Sequence, residues 1–143
     1  MEPYLAADGI EYLAMPRNDT GAGVADSNNS NVDFSPCQSI PTPPLRLSQA
    51  QGVALWFIIM PQAYGRQMAE LIADELREIY PDPSKVQVLP TTTLRELRRT
   101  NAPSALVEVA YHDNPEDAAW IRGNIDEIGK ALSNAVAAYF GLR

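Results

Sequence analysis

The sequence predicts an α/β fold in which a largely parallel sheet is flanked by helices. Three observations carry this. From residue 63 onward, helical and strand periodicities alternate in the order helix, strand, helix, strand, helix. The strand-like runs at 86–89 and 104–110 are short, apolar and bounded by proline or turn residues, as strands inside a layered fold are. The helical runs around them each carry one apolar stripe that a sheet would cover.

Each element follows from its residues. Tyr64, Met68, Leu71, Ile72, Leu76 and Ile79 recur at helical spacing, and the prolines at 81 and 83 end that helix. Val86-Gln87-Val88-Leu89 alternates as a strand that Pro90 closes. Thr93-Leu94-Arg95-Glu96 has capping-box spacing, which predicts a short helix running to about Thr100. Residues 104–110 form an apolar run with one carboxylate, Glu108, and read as a buried strand. Asp113 or Asn114 can cap the next helix, with Pro115 at its first position and Glu116 and Asp117 in its first turn. Ile125, Ile128, Leu132, Val136, Tyr139 and Phe140 continue an apolar face to the stop at Gly141.

The first third is less regular. Residues 1–8 read as the tail of a helix stopped by Gly9, residues 10–13 as a strand, and 17–33 as a polar loop or weak helix. Residues 53–59 have the composition of a buried strand. An uncapped helix at the first residue implies a chain that opens inside a domain.

Composition excludes several function classes. The 143 residues suit one domain, and 45 % hydrophobic with 20 % charged residues is a globular balance. Eighteen acidic against eleven basic side chains, net −7, argue against a nucleic-acid partner, which needs a basic stripe. No transmembrane segment is expected, because the longest apolar stretch, 53–60, falls short of the ~20 residues of a span. The start, Met1-Glu2-Pro3, lacks the basic and apolar regions of a signal peptide. The lone Cys37 excludes an internal disulfide. With one histidine and one cysteine, a zinc site complete within the chain is disfavoured.

Glu108 is the residue that points to chemistry. A carboxylate inside an apolar run needs a partner, since burying it alone costs several kcal/mol in order of magnitude. Spacing leaves three readings open: a structural ion pair with Arg98, Arg99 or Arg122, a general base beside a metal-bound water, or a misplaced strand.

Residues 63–141 resemble the catalytic domain of zinc-dependent N-acetylmuramoyl-L-alanine amidases, the amidase-3 family of peptidoglycan hydrolases. The resemblance is carried by Leu94-Arg95-Glu96-Leu97-Arg98-Arg99-Thr100 and Ala102-Pro103-Ser104-Ala105-Leu106-Val107-Glu108. It continues through Tyr111-His112-Asp113-Asn114-Pro115-Glu116-Asp117 and the terminal Tyr139-Phe140-Gly141, and is looser over residues 1–34. It implies cleavage of the bond between N-acetylmuramic acid and L-alanine, with peptidoglycan or muropeptides as partner and the cell wall or extracellular space as location. It implies Glu108 as the catalytic residue, acting on a zinc-bound water. Tyr111, His112 and Arg98 follow as substrate-side or supporting residues, although a solvated helix face is the commoner role for Arg98. Zinc is the implied cofactor, yet the ligand set is incomplete here. Two family ligands precede the residues aligned with Met1, and the stretch 35–44, where a third histidine is expected, has none. Impaired activity is therefore expected, and the competing reading is a non-catalytic α/β remnant or muropeptide-binding module.

Residues 35–62 are aberrant for the family, and five of the chain's twelve prolines lie there. Prolines cannot build a central strand, because each lacks the ladder donor. Back-translated as ATT CCA ACG CCG CCC with a preceding C, Ile40-Pro41-Thr42-Pro43-Pro44 reads CAT TCC AAC GCC GCC in the shifted frame, or His-Ser-Asn-Ala-Ala. With a permitted choice of codons the same offset turns residues 56–61 into Val-Val-Tyr-Tyr-Tyr-Ala, of which only the second valine and the alanine are forced. Translation out of frame with recovery near Gln62 is one reading, and a genuine proline-rich loop is the other; the gene's codons separate them.

Overall fold

A computed structural model of the chain describes residues 1–12, 19–30, 32–33, 35–39, 51–58 and 63–143. Along the chain these form α1 (Glu2–Ala7), α2 (Thr20–Ser30), β1 (Ser35–Ser39), β2 (Val53–Ile58), α3 (Ala63–Ile79) and β3 (Val86–Thr91). Then follow α4 (Arg95–Arg99), β4 (Ser104–Glu108), α5 (Pro115–Gly123) and α6 (Ile125–Tyr139). The expected α/β architecture is present, with helices on both faces of one sheet of order β1-β4-β2-β3.

The sheet is mixed. β1 runs parallel to β4, and β2 parallel to β3, but β2 and β4 pair antiparallel. The connection between β3 and β4 explains this. A parallel crossover must return along the length of the sheet, usually through a full helix. Residues 92–103 hold only the five-residue α4, about 7 Å long at ~1.5 Å per residue. β4 therefore starts at the end where β3 stops, crosses past β2 and runs back.

Alternation along the strands divides the two faces. Val53 and Leu55 of β2 and Ala105 and Val107 of β4 join one core with Met68, Ala69, Ile72, Ala73 and Leu76 of α3 and Ile128, Leu132, Ala135 and Val136 of α6. Leu106 points the other way and packs with Leu97 of α4 and the partly buried Leu94. Asn28 of α2 fixes the run-in to β4: its amide donates to the Arg99 carbonyl (2.9 Å) and accepts from the Asn101 backbone N–H (2.7 Å). No helix among the described residues is long and apolar enough to cross a membrane.

Several local expectations are corrected. Residues 10–12 form no strand, and residue 13 lies outside the described residues. Instead Gly9 adopts φ +73°, the Gly9 N–H donates to Ala6 (3.1 Å), and the Ile10 N–H donates to Leu5 (3.0 Å). That closes α1 in a Schellman pattern and commits the Ile10 donor to the helix end. Of the two readings of the polar stretch 17–33, loop or weak helix, the helical one holds over α2. Pro90 does not end β3, which continues to Thr91; β3 is an outer strand, where a missing ladder donor is tolerated. The same reason admits Pro36 into β1, the other outer strand. Residues 40–50 and 59–62 of the aberrant stretch lie outside the described residues.

The expected capping box is absent: Leu94 is the N-cap of α4, without a side-chain bond, while the Thr93 N–H donates to Thr91 Oγ1 (3.3 Å). The C-terminal helix is two helices, broken at Asn124 (φ −131°, ψ 26°). Gly and Asn are weak helix formers, and the Asn124 side chain donates to the Trp120 carbonyl (2.8 Å) instead of leaving the backbone to continue. Gly141 (φ +69°) ends α6 as expected, with its N–H on Ala138 (3.0 Å) and that of Leu142 on Ala137 (2.9 Å).

Two glycines should respond oppositely to alanine. At Gly52 (φ +114°) a Cβ would lie 2.4 Å from the Lys85 carbonyl oxygen, whereas at Gly123 it would meet nothing within 4 Å. Gly52→Ala is expected to lower unfolding stability by roughly 2–4 kcal/mol. Gly123→Ala should be neutral or raise it by up to about 1 kcal/mol. Denaturant melts of the two variants check this, and equal losses would contradict it.

Candidate functional site

Glu108 is the last residue of β4, half-buried, with Ser39 of β1 and Ala54 of β2 as its partners in register. By strand alternation it lies on the Leu106 face, away from α3 and α6. Because β4 opposes β2, this end of the sheet is where β1 and β4 finish and β2 and β3 begin. The carboxyl ends of β1 and β4 thus share this edge of the sheet with the leading ends of β2 and β3, where a parallel sheet would have only carboxyl ends.

The chain turns sharply after Glu108. The Ala110 N–H donates to the Glu108 carbonyl (3.1 Å), and Ala110 is held at φ +60° while only 1 % exposed. A left-handed conformation at alanine costs about 1–2 kcal/mol, so neighbouring contacts must impose it. The next residue supplies one: the Tyr111 N–H donates to Asp117 Oδ2 (3.0 Å).

Asp117 gathers more than this bond. It is 1 % exposed on α5, its Oδ2 also accepts from the Gly52 N–H (3.0 Å), and its Oδ1 accepts from the Tyr80 hydroxyl (2.5 Å). Asn114 caps α5 as expected, accepting from the N–H groups of Glu116 (3.0 Å) and Asp117 (3.2 Å). That sets Asp117 in the first turn, where the helix end favours negative charge. Tyr80 in turn meets the edge of Trp120, with ring centroids 4.8 Å apart at 78°, and Trp120 Nε1 donates to the Ile79 carbonyl (3.3 Å). Gln51 adds a second tie between the β2 lead-in and α5. Its amide donates to Glu116 Oε2 (2.7 Å) and its carbonyl accepts from Lys85 Nζ.

The phenols register these surroundings. Burial, then the hydrogen bond and charge of Asp117, push the Tyr80 pKa well above its ordinary value. Tyr111 is also raised, first by burial and then by the charges of Glu108, Asp117 and Asp113. Tyr111 thus shares its electrostatic surroundings with Glu108. Of the other two named residues, His112 is exposed on the turn before α5. Arg98 is exposed on α4, which leads into the opposite end of β4. Among the described residues no three His, Cys, Asp or Glu side chains gather as a metal site requires. Those residues do not fit zinc by themselves.

A half-buried carboxylate at a strand end can accept and return a proton, the requirement for general acid–base work. Sequence reasoning missed Asp117, taking it only as a first-turn acid. One signal was available: it stands three residues before Trp120, on the face that α5 buries.

The Tyr80 shift fixes a pH dependence. A pKa raised by folding means that the native state keeps its proton where the unfolded phenol has lost it. The stabilisation is complete below about pH 10 and is lost as pH rises beyond that. Stability should therefore fall above about pH 10, and Tyr80→Phe should flatten that fall. Urea melts between pH 8 and 11 measure it; an unchanged slope would contradict the buried bond.

The comparisons with known proteins bear on the fold and the family. The profile of the family described as N-acetylmuramoyl-L-alanine amidase matches residues 45–138, well over half of the chain. An N-acetylmuramoyl-L-alanine amidase from Clostridium difficile 630 superposes with a TM-score of 0.78 at 14 % identity, covering 98 % of this chain and 79 % of that one. The amidase Ami1 from Mycobacterium smegmatis gives 0.80 at 18 % identity over 99 % and 72 % of the two chains. The apo form of Ami1 from Mycobacterium abscessus gives 0.78 at 18 % identity over 97 % and 72 %. No curated protein matches the sequence. At these identities the solved structures speak for the fold, and the profile match supplies the family: the chain belongs to the N-acetylmuramoyl-L-alanine amidases.

Proposed function

We propose that Glu108 is the general acid–base residue for hydrolysis of the amide between the lactyl group of N-acetylmuramic acid and L-alanine. One observation carries the assignment: Glu108 closes β4 at the mouth of the sheet, half-buried, with the Tyr111 phenol in its field. Its carboxylate takes a proton from the attacking water as the water oxygen bonds to the lactyl carbonyl carbon. The C–N bond then breaks, and the same proton passes to the departing L-alanine amine. Such a residue contributes about 10²- to 10⁴-fold to rate. Tyr111 lines the substrate side of this carboxylate, and His112 lies on the exposed turn beyond it. The substrate places the enzyme's work at the cell wall.

Zinc is the cofactor that the resemblance implies. Because the described residues offer no ligand set for it, we derive no step through the metal. We expect this chain to turn over peptidoglycan slowly or not at all. The same observation favours a second reading, a scaffold that binds muropeptides without cleaving them.

Both readings meet in one experiment. The chain is titrated with a muropeptide while amide shifts are followed by NMR, and release of L-alanine amino termini from purified peptidoglycan is assayed alongside metal content. Weak binding with shifts at Glu108 and Tyr111, little turnover and substoichiometric zinc are expected. Any turnover seen should fall about 10²-fold or more in Glu108→Gln with unchanged melting. Shifts confined to other parts of the fold, or equal turnover by the variant, would remove Glu108 from the role. Stoichiometric zinc with turnover would contradict the incomplete ligand set.

A further inference from the structure

We infer that Asp117 is a positioning residue for Glu108, acting through the two backbone segments that flank it. The inference rests on the reading of Glu108 given above and extends it to a residue that acts on Glu108 through the backbone. One oxygen, Asp117 Oδ2, accepts from Tyr111, three residues after Glu108, and from Gly52, two residues before Ala54. Ala54 is the β2 residue directly opposite Glu108 in the antiparallel register. A single atom therefore joins the outgoing end of β4 to the incoming end of β2 across the pair that holds the carboxylate.

Three further observations make this a clamp rather than a chance contact. Ala110, between Glu108 and Tyr111, is held at φ +60°, a conformation that alanine leaves unless its neighbours are fixed. Gly52 is held at φ +114° against the Lys85 carbonyl, where no side chain fits, so the backbone approach is built for the bond. The second oxygen of Asp117 is occupied by the Tyr80 hydroxyl, whose ring is wedged against Trp120, so the carboxylate cannot rotate away. The arrangement fixes where the Glu108 carboxylate stands relative to Tyr111. That fine placement is what supporting residues supply in preorganised sites.

The test compares Asp117→Asn with Asp117→Ala. Both remove the charge, but the Asn carbonyl can still accept from the two N–H groups, and its NH₂ can donate to the Tyr80 oxygen. Glu108 ionisation is followed by carboxyl ¹³C NMR in each folded variant. Positioning predicts that the Glu108 midpoint in the Ala variant departs from that in the Asn variant by about 0.5 pH unit or more. A stability role alone would lower the melting temperature of the Ala variant and leave the two midpoints equal, which would overturn the inference. Should the Ala variant not fold, amide exchange in the Asn variant decides. Protected Gly52 and Tyr111 amides support the clamp, and free exchange of either overturns it. The titration reads geometry whether or not Glu108 performs catalysis. Failure of the catalytic reading would show instead in the Glu108→Gln assay with the midpoints still apart.

Discussion

The carboxylate of Asp117, almost wholly removed from water, accepts from three donors on three separate parts of the chain. Taking such a charge out of water costs several kcal/mol, so it persists only where its hydrogen-bonding capacity is filled. Here two backbone amides, one phenol and the first turn of α5 fill it. Hydrogen bonds to a charged group contribute about 1.5–3 kcal/mol each, enough to offset the burial and to hold a strained alanine turn. The network is local in space and distant in sequence, with Tyr80 and Gly52 respectively 37 and 65 residues from Asp117.

The rest of the site follows from strand direction. The short α4 forces β4 to run against β2, which carries Glu108 to the end of the sheet where β2 and β3 begin. That same end receives the N-terminus of α5 and the loop at Gln51 and Gly52. The result is a meeting of several element ends, whose backbone N–H groups need acceptors from outside their own strand or helix. Asp117 and Asn114 satisfy part of that demand from one helix. Glu108 then stands at the rim of a surface whose backbone is fixed on either side.

What the sequence revealed depended on how local its cause was. A charge inside an apolar run singled out Glu108 as the candidate, and Asn114 ahead of Pro115 marked a helix start, because each signal lies within a few residues. Gly9 and Gly141 marked helix ends for the same reason. Strand direction was not legible: alternation in Val86-Gln87-Val88-Leu89 is the same whichever way a neighbour runs. The break at Asn124 was hidden because the apolar face continues across it. The Ile10 run had strand composition, but its N–H was already required to close α1. The Asp117 network was hardest to foresee, since its partners are tyrosine and backbone groups far along the chain, and glycine carries no pattern.

The central claim is that one buried carboxylate fixes the two backbone segments around Glu108. Native-state hydrogen exchange of the unmodified chain tests it most directly, read at the amides of Gly52 and Tyr111. Neither amide belongs to a strand or helix. The account predicts that both exchange as slowly as the amides in the centre of β4, because each is locked to Asp117. Exchange at the rate of exposed loops would mean that the clamp does not exist in solution.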